Sequence, residues 1–266
     1  MSAGLLVESD GPILTLTLDR PEKRNALNDA LLSRLGEELE RAARADNIHV
    51  LVLQGAGDHF CSGFDLDTVS AEESSEERAR REREQLFDRA LFLRDLPIPT
   101  IAAVQGACVA AGLLLSQMCD LVVASDDAFF YDPLPRMGGV GLEVLVEPWD
   151  IGFRRAKRYL FTGDRIPASD ALQLGLVTDL TTRAELGETV RSLAQRIAEM
   201  PPVTLSLIKR SLNRAQDLAG MREALEYHFA LHQLGHASVE SRDLLHAARE
   251  GRPLKDYFRK RDEGEL

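Results

Sequence analysis

Backbone N–H groups can act on a ligand only where small residues let it approach closely, and two glycine-rich stretches of this chain offer that. Gly106 to Gly112 is a tight small-residue turn between a strand, Ile101-Ala102-Ala103-Val104, and a buried helix, Leu113 to Cys119. Such a turn aims the first amides of the helix, with their partial positive charge, at whatever lies ahead. Gly55 to Asp67 is the second glycine-rich loop. Within it Ser62 beside Cys61 invites a nucleophile reading, but no histidine and acid stand in a recognisable partnering motif, so covalent catalysis is not expected. The three cysteines lack close pairs and sit among apolar or small residues, which reads as reduced, buried thiols rather than a metal or disulfide framework. No zinc spacing, Walker loop, GxGxxG or GxSxG elbow occurs, and no metal site is expected.

The elements that must position these loops follow from periodicity. Ile13 to Leu18 alternates apolar and polar residues as a half-buried strand does, and Asp19 to Lys23 ends it in a turn. From Asn28 to Ala45 the residues Leu31, Leu32, Leu35, Leu39 and Ala42 recur at helical spacing, and Val50 to Leu53 then reads as a buried strand. Glu72 to Glu84 is dominated by Glu and Arg and reads as a solvated helix or lid whose charge serves solubility, ahead of the amphipathic Leu86 to Leu96. Leu121 to Ala124 reads as another strand. After Asp164 the pattern is helical over 168–175, 183–198, 203–218 and 221–250, with Pro201-Pro202 as a break.

With 266 residues, 44% hydrophobic and 28% charged, the chain can bury a sizeable core. A net charge of -11 argues against general affinity for nucleic acid or an anionic membrane, while leaving room for a local basic pocket. The first ten residues have no basic, apolar leader pattern, and no stretch reaches the roughly 18 uncharged apolar residues of a membrane span, so a cytoplasmic protein is expected.

Three segments in order, Arg20-Pro21-Glu22-Lys23-Arg24-Asn25-Ala26-Leu27, His59-Phe60-Cys61-Ser62-Gly63-Phe64-Asp65-Leu66, and Val104-Gln105-Gly106 through Cys119-Asp120, resemble the crotonase (enoyl-CoA hydratase/isomerase) family. A fourth match, Ala156 to Gly163 followed by Ala168 to Val177, extends the resemblance nearly end to end. It implies an α/β fold: a superhelix of ββα repeats over 1–200 and a helical C-terminal region over 201–266 used for assembly as a homotrimer or dimer of trimers. It further implies a coenzyme A thioester as substrate, with no other cofactor, in lipid or carboxylic acid metabolism.

By position in those motifs, the N–H groups of Phe64 and Ala111 would hold the thioester oxygen as negative charge develops on it. The family usually has glycine where Ala111 stands. Arg20, Lys23 and Arg24, with Asp65 and Leu66, and Lys255 and Phe258 near the end of the chain, would meet coenzyme A. Hydratases of the family carry two glutamates for acid/base work; here those positions are Leu114 and Leu134, and leucine cannot transfer a proton. Two other carboxylates lie in the same stretch, Asp132 and Glu143; the resemblance implies Glu143 as the leading candidate, since isomerases and other branches of the family use an acid near this region, and desolvation in an apolar pocket would raise such a carboxylate's proton affinity. The alternative is a catalytically silent acyl-CoA binding protein.

Overall fold

A computed structural model of the chain describes residues 3–65, 74–239 and 241. The chain opens with a hairpin, β1 (Leu5–Asp10) antiparallel to β2 (Ile13–Leu18), and then a short 3-10 turn over Pro21–Lys23. Helix α1 (Asp29–Arg44) starts at Asn28, whose side chain accepts the Leu31 amide at 2.9 Å, an N-cap of ordinary kind. It buries the predicted stripe of Leu31, Leu32, Leu35, Leu39 and Ala42. Strand β3 (Val50–Gly55) follows. The charged segment forms α2 (Ser75–Glu82), a π-helical turn (Arg83–Phe87) and α3 (Asp88–Arg94) in unbroken succession.

Next come β4 (Thr100–Val104), β5 (Ala107–Val109), α4 (Ala111–Met118), β6 (Leu121–Ser125) and β7 (Phe129–Tyr131). The segment read as a bare turn, Gly106 to Gly112, thus contains a strand. After α5 (Glu147–Asp150) and α6 (Phe153–Thr162) lie β8 (Ile166–Pro167), α7 (Ala168–Leu174) and β9 (Asp179–Thr181), two short strands inside a stretch read as purely helical. Two or three residues are too few for periodicity to register. The chain closes through α8 (Leu186–Ala198), α9 (Pro202–Leu218) and α10 (Met221–Gly235).

The larger sheet runs β1-β2-β3-β4-β6-β9, parallel from β2 onward, and the smaller runs β5-β7-β8. Successive residues of β3 and β4 serve different layers, as the pleat requires. Leu51, Leu53, Ala102 and Val104 join the core beneath α1, α3 and α4. Val50, Val52, Ile101 and Ala103 pack instead on Leu186, Val190 and Ala194 of α8. Burial on both faces explains why these strands read as continuous apolar runs. Pairing of β5 with β7 in the register Val109↔Tyr131 sets the end of one strand beside the head of α4 and the start of the loop after Tyr131.

Candidate active site

Phe64 forms a single parallel bridge with Leu27, in which the Leu27 amide donates to the Gly63 carbonyl at 2.8 Å and the Asp65 amide donates to the Leu27 carbonyl at 2.9 Å. In a parallel bridge of this pattern the amide of the central residue points away from the partner strand, so the Phe64 N–H faces the opposite side. A second bridge, Cys61↔Cys108, with the Val109 amide on the Cys61 carbonyl at 2.9 Å, fastens this loop to β5. Ala111 is the first residue of α4, where the N–H has no intrahelical acceptor. Among the described residues neither the Phe64 nor the Ala111 amide meets an acceptor.

The loops that carry the two amides touch. Gly63 has φ +98°, and a Cβ there would lie 2.7 Å from Ala110 Cβ and 3.5 Å from the Ala111 nitrogen. A Cβ on Gly112 would come within 2.7 Å of the Cys61 carbonyl oxygen. Ala110 itself has φ 52° and ψ −124°, a conformation costly for any residue with a Cβ, and is held by its amide bond to the Tyr131 carbonyl at 3.0 Å. Two undonated amides, one at a helix N-terminus, can together stabilise negative charge on one oxygen.

The face of α4 that carries Ala111 turns away from any acid. Leu114 and Leu115 close a small apolar pocket there with Leu27, Leu32, Leu86 and Ala90. Leu134, half-buried, opens the 3-10 turn Leu134–Met137 and touches Gly139. Both leucines therefore present hydrocarbon where the resemblance implies glutamate.

The loop after β7 supplies the acids. Asp132 is buried; its Oδ1 accepts the Leu134 amide at 2.9 Å, and its Oδ2 has no partner among the described residues. Burial, reinforced by the charge of Glu143 and opposed by backbone hydrogen bonds, pushes its carboxyl up to about 7. Glu143 is buried as well, and desolvation raises its proton affinity too, although His232 opposes the shift with its Nε2 at 3.9 Å from Oε1. Glu147, the first residue of α5, is buried with both carboxylate oxygens unpartnered, and burial plus the charge of Asp132 pushes it up to about 8. Asp132 and Glu147 line one small chamber with Leu113, Tyr131, Tyr159 and Ile166.

Residues 8–254 match the enoyl-CoA hydratase/isomerase family. EchA13 of Mycobacterium tuberculosis, which carries the family's enoyl-CoA hydratase name, is 38% identical over 249 residues, 86% of this chain and 78% of that one. The 2,3-dehydroadipyl-CoA hydratase of Escherichia coli is 36% identical, with 81% and 84% covered. An enoyl-CoA hydratase/isomerase structure from Xanthobacter autotrophicus superposes with a TM-score of 0.85 at 31% identity, covering 94% of each chain. The chain belongs to the enoyl-CoA hydratase/isomerase family. Its α/β architecture is that of the crotonase fold.

Of the residues that this family membership nominates for coenzyme A, Arg20 is committed inward. Its guanidinium donates to Asp65 Oδ2 at 2.8 Å and to the Ala26 carbonyl at 2.6 Å, so Arg20 and Asp65 brace the first family motif against the second. Lys23 and Arg24 are exposed on the turn that follows. Leu66, Lys255 and Phe258 lie outside the described residues. His59 and Ser62 make local hydrogen bonds: the Ala107 amide donates to His59 Nδ1 at 3.1 Å, and Ser62 Oγ donates to the Lys23 carbonyl. All three cysteines are buried and free, and burial pushes the thiols of Cys61 and Cys119 up to about 12.

Sequence reasoning missed Glu147, Glu82 and the histidines of α10. Glu82 corrects the reading of its segment as mere solubilising charge: it is buried and bonded to Gln233 and His236. The available signal was the spacing His228, His232, His236, which puts three imidazoles on one helical stripe. Among the described residues no helix is long and apolar enough to cross a membrane.

Proposed function

We propose that this protein is an enzyme acting on acyl- or enoyl-CoA thioesters, in which the amides of Phe64 and Ala111 hold the thioester oxygen while an enolate forms. The observation that carries this reading is the pair of amides without an acceptor on two loops that touch at Gly63 and the head of α4. Exposed Lys23 and Arg24 would meet the phosphates of coenzyme A, and Arg20 with Asp65 would hold that turn in place. The apolar side chains that α9 leaves exposed, Val203, Leu207 and Leu212 among them, support assembly as a homotrimer or dimer of trimers.

For the proton, Asp132 has stronger support than Glu143. It follows directly on Tyr131, whose carbonyl holds Ala110, it keeps one oxygen unpartnered, and burial raises its proton affinity, which suits a group that both takes and returns a proton. Glu143 turns toward His232. One such carboxylate is enough for a double-bond shift, whereas the two-glutamate hydration route has no counterpart at Leu114 and Leu134.

Those leucines favour a second reading, a catalytically silent acyl-CoA binding protein. Mass spectrometry of saturated, 2-enoyl and 3-enoyl thioesters incubated with the protein in heavy water separates the readings. Carbon-bound deuterium without water addition supports the isomerase-type enzyme, water addition supports a hydratase working without the usual pair, and binding with neither supports the silent binder. Asp132→Asn is expected to lower turnover by about 10²-fold or more with thioester binding retained, and Glu143→Gln by less.

A further inference from the structure

A second constellation lies on the far side of Glu143. The last residue of α2, Glu82, meets two histidines one turn apart on α10, and three donor atoms form a small triangle. His232 Nε2 and Glu82 Oε2 are 3.4 Å apart, His236 Nε2 and Glu82 Oε2 3.2 Å, and the two Nε2 atoms 3.1 Å. Glu82 and His232 are buried, and His236 is partly exposed.

Hydrogen bonds can serve two edges of this triangle, but no single protonation state serves all three. With Glu82 ionised, its oxygen only accepts. If both Nε2 atoms carry protons, two N–H groups face each other across 3.1 Å. If one does, the bare nitrogen of the other faces the carboxylate. If neither does, three lone pairs converge. A single cation at the centre satisfies all three edges in one arrangement. Zinc(II) bonds of about 2.0–2.2 Å in tetrahedral array place neighbouring donors roughly 3.3–3.5 Å apart, which is the scale found here.

The surrounding groups are oriented for the same task. His232 Nδ1 lies 2.8 Å from the Gly141 carbonyl, which can only accept, so Nδ1 carries a proton and the neutral ring would have its Nε2 lone pair available to the triangle, while the neighbouring acids raise the ring's proton affinity. Gln233 Nε2 donates to Glu82 Oε2 at 2.8 Å, steadying the carboxylate. Glu143 Oε1 lies 3.9 Å from His232 Nε2, beside the triangle rather than within it. We propose that Glu82, His232 and His236 bind one divalent transition-metal ion of zinc type, with the fourth position open to water. Sequence spacing hides the third ligand, because Glu82 and His236 are 154 residues apart.

The test uses the full chain with any purification tag removed, stripped with chelator, then titrated with zinc(II) by calorimetry and with cobalt(II) by visible absorption. The expected result is one ion per chain, with the intense visible bands of a tetrahedral cobalt site, retained through dialysis. Glu82→Gln and His236→Ala, each checked for retained helicity by circular dichroism, should weaken binding at least about 100-fold, and Gln233→Ala about 10-fold. No stoichiometric ion in the wild type, or zinc affinity unchanged in both ligand variants, overturns the proposal.

Discussion

The two sides of α4 have opposite chemistry. Toward α1 and α3 the helix presents Ala111, Leu114 and Leu115, which with Leu27, Leu32 and Leu86 form a pocket without an acid. Toward α5 and α6 it presents Leu113 to a chamber that holds Asp132 and Glu147 with raised proton affinities. The first side draws its stability from packing, which does not change with pH. The second carries buried carboxyls whose cost depends on whether they are ionised. The amides at the head of the helix can thus serve a thioester while proton-handling groups sit on the following loop rather than on the helix itself.

Removing a donor tests the helix head most severely. Ala111 occupies the first helical position, where the helix tolerates proline, whose ring removes the N–H and puts Cδ in its place. If this amide stabilises the enolate, Ala111→Pro should reduce kcat by about 10²–10³-fold, the scale of one lost oxyanion donor. Circular dichroism and retained thioester binding would exclude collapse of the fold. Turnover within a few-fold of wild type would remove Ala111 from the site.

A pair of substitutions then separates the two sides through stability. Leu114→Ala opens a cavity in the apolar side and should cost about 2–4 kcal/mol by denaturant unfolding, equally at acid and neutral pH. Glu147→Gln should behave in the opposite sense. The folded carboxyl titrates at about 8 against 4.5 for an ordinary glutamate, so the folded state binds the proton more tightly. Its contribution is fully present below about 4.5 and is lost as pH rises through about 8. The variant should therefore match the wild type near pH 4 and exceed its stability near pH 8.5 by on the order of 2–4 kcal/mol. A difference independent of pH would show that Glu147 is not held neutral by its surroundings.

The two sides were also unequally legible in the sequence. The stripe of α1, the buried strands β3 and β4 and the small-residue head of α4 were readable because each repeats a period or a glycine requirement over several residues. The donor amides were reachable only through family resemblance, since backbone N–H direction leaves no mark on side-chain identity. The acid chamber was half legible. Asp132 and Glu143 could be nominated through the family resemblance, as acids in the stretch where the usual glutamates are missing, but Glu147 looks like an ordinary helix-start acid beside Pro148. Glu82, in a run of Glu and Arg, was indistinguishable from its solvated neighbours, because what buries it is α10, far along the chain. The strands β5, β7, β8 and β9 are held by pairing across the fold rather than by local pattern.

The smallest expected effect lies outside both sides, on the turn after β2. Arg24 is exposed at φ 52°, and Arg24→Gln keeps a side chain of similar length at that backbone position while removing the charge. If the turn covers the phosphates of coenzyme A, KM should rise roughly 2–5-fold at low ionic strength with kcat unchanged, the scale of one exposed charge contact. The rise should shrink as salt screens the pair. Arg20 offers the internal contrast: its charge is already neutralised by Asp65 within hydrogen-bonding distance, so Arg20→Gln should lower stability by unbracing the two family motifs, with a KM change that salt does not erase. Equal salt dependence in the two variants would mean that Arg20 leaves Asp65 to meet the ligand.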